Sequence, residues 1–114
     1  MGEVWCQEAS AMGEVVYARQ AAKKIEDIRA YYDNFDETTA ERAVQKIVTL
    51  LNLLSDHPLI GRPVSGAEHL RERVIPFGGT GFVALYRIEP RLDRILILAI
   101  RHQREDGYDE ADSH

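Results

Sequence analysis

The residues best suited to chemistry crowd into one short stretch, Arg101-His102-Gln103-Arg104-Glu105-Asp106-Gly107-Tyr108. An imidazole titrates near neutrality and can donate or accept a proton. A guanidinium stays charged and grips a carboxylate or phosphate through parallel N–H bonds, and a phenol both donates and accepts. Upstream, Arg71, Arg73 and Arg87 fall on segments that pattern as neighbouring strands. Two readings stand. The cluster can hold a phosphate or a partner's carboxylate. Alternatively it is a structural network, with His102 bonded to the backbone and Arg104 paired with Glu105 or a helix acid. Other chemistry is sparse. His57, His69 and His102 lie far apart and Cys6 has no spaced partner, so no metal-ligand set is visible. Gly78-Gly79-Thr80-Gly81 lacks the lysine of a phosphate loop and leads into a strand, so it reads as a hairpin turn needing positive φ. No serine or cysteine sits in a recognisable nucleophile elbow, and no cofactor is expected.

The formal net charge of −5 over 114 residues conceals an asymmetry. Residues 62–104 carry eight basic and four acidic side chains, and all eight basic ones are arginines. From 105 onward there are five acids and no Lys or Arg. Arginine keeps its charge when partly buried, so the middle block is either an anion-binding surface or a solvated sheet face with gatekeeping charges on its edges. No apolar run approaches the roughly 20 residues needed to span a bilayer. The N-terminus does not pattern as a signal peptide. The single cysteine excludes an internal disulfide and fits a reducing compartment. The expected location is the cytoplasm, away from membranes.

The elements that must position these residues follow from hydrophobic period. Met1-Gly2-Glu3-Val4 is echoed by Met12-Gly13-Glu14-Val15, so residues 1–12 read as a flexible leader or an upstream start. The domain is expected over 13–108, with an acidic tail at 109–114. Val15 to Tyr17 is β-rich. Ala18, Ala21, Ala22, Ile25, Ile28 and Tyr32 then recur at helical spacing to about Asn34. A second helix is expected from Thr38, with Glu41 completing a capping box, and its stripe is Ala43, Val44, Ile47, Leu50, Leu51 and Leu54. A short polar connection makes the two an antiparallel hairpin. Residues 55–69 pattern as a loop, and three strands follow at about 70–77, 82–88 and 94–100. The unbroken Ile95–Ile100 run predicts an interior strand covered on both faces. The expected fold class is α+β in the order βααβββ, a helical hairpin packed on a small, mostly antiparallel sheet.

Three blocks in this order resemble the RelE/ParE toxin superfamily of type II toxin–antitoxin systems. They are Asp56-His57-Pro58-Leu59-Ile60-Gly61-Arg62-Pro63, then Leu70-Arg71-Glu72, then Tyr86-Arg87-Ile88 followed by Ile95 through Glu105. The resemblance covers about residues 13–108 and implies the same βααβββ fold. RelE-like members cut mRNA in the ribosome with basic residues and often a tyrosine near the chain end. ParE-like members share the fold, lack much of that set, and are known for poisoning DNA gyrase. Where RelE-like toxins place a mid-sheet arginine this chain has Val83, and the preceding strand reads Arg71-Glu72-Arg73. Arg104 and Tyr108 match the terminal set. The ParE branch therefore fits better. It implies a protein-binding inhibitor, with gyrase as target and no sequence-specific nucleic-acid contact, silenced by a cognate antitoxin. Arg71, Arg73, Arg87, Arg101, His102 and Arg104 are the candidate target-binding groups. Ile25, Ile28, Tyr31 and Tyr32 are the candidate antitoxin contacts. The alternatives are a ribosome-dependent endoribonuclease using Arg104, His102, Tyr108, Arg71 and Arg73, and a non-toxic homologue that keeps antitoxin binding.

Overall fold

The structure is a computed structural model and describes residues 13–103. The expected leader, Arg104, Tyr108 and the acidic tail lie outside the described residues. The elements are β1 (Glu14–Tyr17), α1 (Arg19–Asp33), α2 (Glu37–Asn52), a 3₁₀ turn (Leu53–Ser55), β2 (Arg62–Val64), β3 (Ala67–Phe77), β4 (Thr80–Glu89), a second 3₁₀ turn (Pro90–Leu92) and β5 (Arg94–His102). They form a five-stranded sheet in the order β1-β5-β4-β3-β2. β1 runs parallel to β5 and every other pair is antiparallel. The α+β class and its order of elements are as expected. Among the described residues no helix is long and apolar enough to cross a membrane.

The helical hairpin covers one face of the sheet because its stripe has nowhere else to go. Ala21 and Ile28 of α1 join Ala43, Ile47 and Leu51 of α2, and all are buried against Ile75, Phe82, Ala84, Tyr86, Ile95, Ile97 and Ile100. The cap of α2 differs from expectation. Asp36, in extended backbone just before the helix, accepts from the Thr38 N–H at 3.2 Å and the Thr39 hydroxyl at 2.9 Å. Its short carboxylate reaches the first-turn donors directly, which makes it the N-cap in place of Thr38. Those two bonds, the Thr39 hydroxyl first, hold its carboxyl below the ordinary range. Glu41 does not close a capping box; it reaches across to Arg29 at 2.8 Å and ties α2 to α1.

Two further departures have local causes. The segment expected as loop contains β2, which pairs Arg62 with Glu72 and Pro63 with Arg71 before its register slips to Val64 opposite Ala67. Pro63 is tolerated because this is an edge strand, and Gly66 supplies the positive φ of the turn into β3. The same proline and glycine that punctuate a loop thus build a short edge hairpin. In β5, the register to β4 shifts between Leu85 and Tyr86, so Tyr86 opposes Ile97 while Leu85 opposes Ala99. This bulge turns Ile95, Ile97, Ile100 and His102 toward the helices. Part of the unbroken apolar run therefore reflects a change of face. β5 is interior, as expected, but among the described residues only one face of the sheet carries helices, and Leu96 and Leu98 on β5 are half-buried. The Gly78-Gly79 turn joins Phe77 to Thr80, with positive φ at Gly78.

Candidate functional site

The three sequence blocks meet in space at the loop between α2 and β2. Tyr86, buried on β4, donates its hydroxyl to the Pro58 carbonyl at 2.7 Å and accepts the Gly61 N–H at 3.0 Å. Arg71, its register partner on β3, donates to the Gly61 carbonyl at 2.6 Å and the Leu59 carbonyl at 3.2 Å. Burial pushes the Tyr86 phenol above its ordinary pKa, so it stays a neutral hydroxyl able to do both jobs. Gly61 is required by proximity: a Cβ there would sit 2.5 Å from the Tyr86 hydroxyl and 2.6 Å from the Glu72 carbonyl. This latch fixes the loop and leaves Leu59 and Ile60 exposed at its tip.

The arginines divide between the two faces of the sheet. Arg71 and Arg73 alternate with the buried Ile75 and point to the helix side. Arg73 is half-buried; it donates to the Val74 carbonyl at 3.3 Å, and its Nε is buried with no hydrogen-bond partner. Arg62, Arg87, Arg94 and Arg101 fall on the open side by register. There Arg62 pairs with Glu72 at 3.2 Å, while Glu89 binds Arg94 at 2.6 Å and Arg87 at 2.9 Å. The Arg94 hydrogen bond, with that of Arg87 behind it, holds the Glu89 carboxyl below its ordinary range despite some desolvation. Arg101 lies opposite Val83 and donates to the His102 carbonyl at 3.3 Å. Of the six residues expected to bind a target, Arg104 lies outside the described residues, and the other five do not form one cluster. Arg87 and Arg101 share the open face, Arg71 and Arg73 lie beneath the helical hairpin, and His102 stands at the far end of the helix side.

His102 lines a groove of about 430 Å³ with Lys24, Asp27, Ile28, Tyr31, Tyr32 and Phe82. Its ring meets Phe82 edge-on at 5.6 Å between centroids. Tyr32 packs edge-on against Phe77 at 5.6 Å and Phe82 at 6.5 Å. Of the expected antitoxin contacts, Ile28 is buried and Ile25 and Tyr32 are half-buried against the core, whereas Tyr31 is 57% exposed. Phe35, 71% exposed and 5.4 Å from Tyr31 between ring centroids, extends that aromatic surface.

With this geometry in hand, the chain matches the family model for the ParE toxin of the type II toxin–antitoxin system parDE over residues 15–107. This chain belongs to the ParE toxin family. The match begins inside β1 and so takes in the described helices and strands that follow it. Toxin RelE3 of Caulobacter vibrioides is 31% identical over 94 residues, covering 82% of this chain and 98% of the relative. Among solved structures, a chain from the chromosomal ParDE system of P. aeruginosa superposes with a TM-score of 0.65 at 27% identity, covering 82% of this chain and 98% of that one. A chain of the Mycobacterium tuberculosis RelBE2 toxin–antitoxin complex gives 0.56 at 21% identity over 80% of this chain and 98% of that one, which is a likeness of fold. Sequence reasoning gave no role to Tyr86, Gly61, Phe82 or Glu89. The first two lie inside the blocks that carry the resemblance, and Glu89 is one of two acids, with Asp93, among the arginines of the β4–β5 turn, so these three left a signal.

Proposed function

We propose that this ParE-family chain is the toxic partner of a two-protein pair and acts by binding DNA gyrase rather than by cutting RNA. The observation that carries the reading is Val83. It is 2% exposed on the middle strand, at the position where the resemblance to RelE-like toxins implies an arginine. Metal-free RNA cleavage needs a base, an acid and phosphate-holding cations converging on one point. Here His102 and Arg101 turn to opposite sides of the sheet, and Arg71 is bonded to two backbone carbonyls. A net charge of −5 also favours a protein target, because phosphate contacts dominate affinity for nucleic acid. Arg87 and Arg101 on the open face, with Arg104, are the groups proposed to meet carboxylates of the target. The antitoxin is proposed to lay a segment against α1 around Tyr31 and Tyr32, which is consistent with the relatives' own pairing in ParDE and RelBE2 systems. The pair is proposed to work in the cytoplasm.

The 31% identity to Toxin RelE3 keeps a ribonuclease as the second reading, with Arg104, His102, Tyr108, Arg71 and Arg73 as its residues. One paired experiment separates them: purified protein in a gyrase supercoiling assay beside a cell-free translation assay. Inhibited supercoiling with intact translation is expected. Blocked translation, with mRNA cuts abolished by Arg104→Ala, would promote the ribonuclease. Loss of neither activity would leave a homologue that retains only antitoxin binding.

A further inference from the structure

The latch at Tyr86 fixes a loop whose end residues it does not bury. Between the first 3₁₀ turn and β2 the backbone is held at each step. The Leu53 carbonyl accepts the N–H groups of Asp56 and His57 at 3.1 and 3.0 Å, and the His57 carbonyl accepts that of Ile60 at 3.1 Å. Tyr86 then holds Pro58 and Gly61, while Arg71 holds Leu59 and Gly61. Leu59 nevertheless stays 65% exposed and Ile60 51%. One exposed leucine is ordinary on a protein surface. Two adjacent branched aliphatics at the end of a fixed loop, where turn chemistry favours polar residues, are not. A latch that served only to close the core would work as well beneath a polar tip, because its bonds run to the loop's backbone and not to these side chains.

We infer that Leu59 and Ile60 form a preorganised apolar anchor that enters a pocket on the target protein. The inference rests on the target reading above and names a place on this chain where that target is gripped. Position supports it. Arg62, next after Gly61, falls on the open side of the sheet with its side chain 63% exposed, and β2 is the edge strand. The tip therefore borders the arginine-bearing face, and a target that brings carboxylates to that face meets the tip along its rim. The tip's chemistry selects a protein. Bases of nucleic acid stack on aromatic faces, and residues 53–62 hold no Phe, Tyr or Trp and only one Lys or Arg. A bilayer surface draws basic amphipathic segments, whereas Asp56 flanks this tip and the chain carries a net charge of −5. Because the loop is ordered before contact, little conformational freedom is lost on binding, and the burial of two aliphatic side chains goes into affinity.

Supercoiling assays with gyrase and the full chain test this, with Tm recorded for each variant. Leu59→Ser and Ile60→Ser are each expected to raise the half-inhibitory concentration about tenfold and to leave Tm unchanged. Leu59→Met keeps apolar surface at the tip and is expected to stay within about twofold of wild type. Leu92→Ser removes a similarly exposed leucine, 59%, from the β4–β5 turn and is expected to do the same. Tyr86→Phe leaves the tip side chains in place but frees the loop that carries them, and is expected to raise the half-inhibitory concentration about threefold. Inhibition unchanged in both serine variants, beside an inhibiting wild type, would overturn the anchor and leave the gyrase reading standing. Supercoiling untouched by the wild type would overturn that reading and the anchor with it. A loss as large in Leu92→Ser would trace the effect to surface apolarity in general and overturn the anchor. So would serine variants that lose self-association, binding to anionic vesicles or binding to the co-expressed antitoxin, because the tip would then belong to that partner.

Discussion

The two faces of this sheet use arginine in opposite ways. On the helix side, Arg71 sits half-buried beside the Tyr86 phenol and donates to the carbonyls of Leu59 and Gly61, so its charge-assisted bonds hold backbone in place. On the open side, Arg87 and Arg94 share Glu89, and Arg62 pairs with Glu72 across the β2–β3 edge. Exposed ion pairs contribute little to stability because water and salt screen them. The helix-side arginine is therefore architectural, while the open-side arginines are cheap to rearrange and suit exchange of an internal carboxylate for a partner's.

The comparison breaks most sharply at the latch. Gly61→Ala places a Cβ against the Tyr86 hydroxyl and the Glu72 carbonyl and is expected to cost about 3 kcal/mol, measured by denaturant unfolding. Tyr86→Phe leaves the Pro58 carbonyl and the Gly61 N–H without their partner and is expected to cost about 2 kcal/mol, with faster hydrogen exchange at Gly61. Arg71→Met should fall in the same range. Neutralising Arg87 or Arg94 is expected to move Tm by no more than about 5 °C, and less in high salt. A latch variant as mild as Arg94→Gln would remove the distinction between the faces.

Acid titration sharpens the comparison through a smaller effect. Asp36 and Glu89 both have folded-state pKa values held below their ordinary ones, by hydrogen bonds at the α2 cap and from Arg94 respectively. A depressed carboxylate contributes stability that is fully present above the unfolded pKa of about 4 and is lost as pH falls through the lower folded value. Neutral-pH stability should therefore be flat and decline below about pH 4. Asp36→Asn, which keeps a capping oxygen but cannot titrate, is expected to make that decline shallower, as followed by Tm against pH. An unchanged acid limb would show that the Asp36 bonds do not persist in solution.

Periodicity carried most of the fold because the two helices and the three long strands bury their stripes where the spacing puts them. Ile47, Leu51 and Ile28 are buried, and Arg71, Arg73 and Ile75 share a face as alternation requires. What periodicity missed depends on single atoms or on register. Asp36 outcompetes Thr38 because of backbone angle, which spacing does not encode. The β5 bulge rotates Ile100 and His102 relative to Ile97 without any glycine or proline to announce it. The site was less legible than the fold. An arginine list has no faces until the register is known, and a tyrosine inside a motif does not disclose that its hydroxyl holds a loop 28 residues away along the chain. Such long-range pairings are tertiary facts, visible in sequence only as residues that recur together.

The central claim is that the open-face arginines meet a target while the helix-side arginine holds the fold. The most direct measurement is gyrase supercoiling inhibition by wild type, Arg87→Glu and Arg101→Glu, with Tm recorded for each. The account predicts inhibition by wild type and its loss in both variants while Tm stays within about 5 °C of wild type. Full inhibition retained by both stably folded variants, or supercoiling untouched by wild type while translation stops, would contradict it.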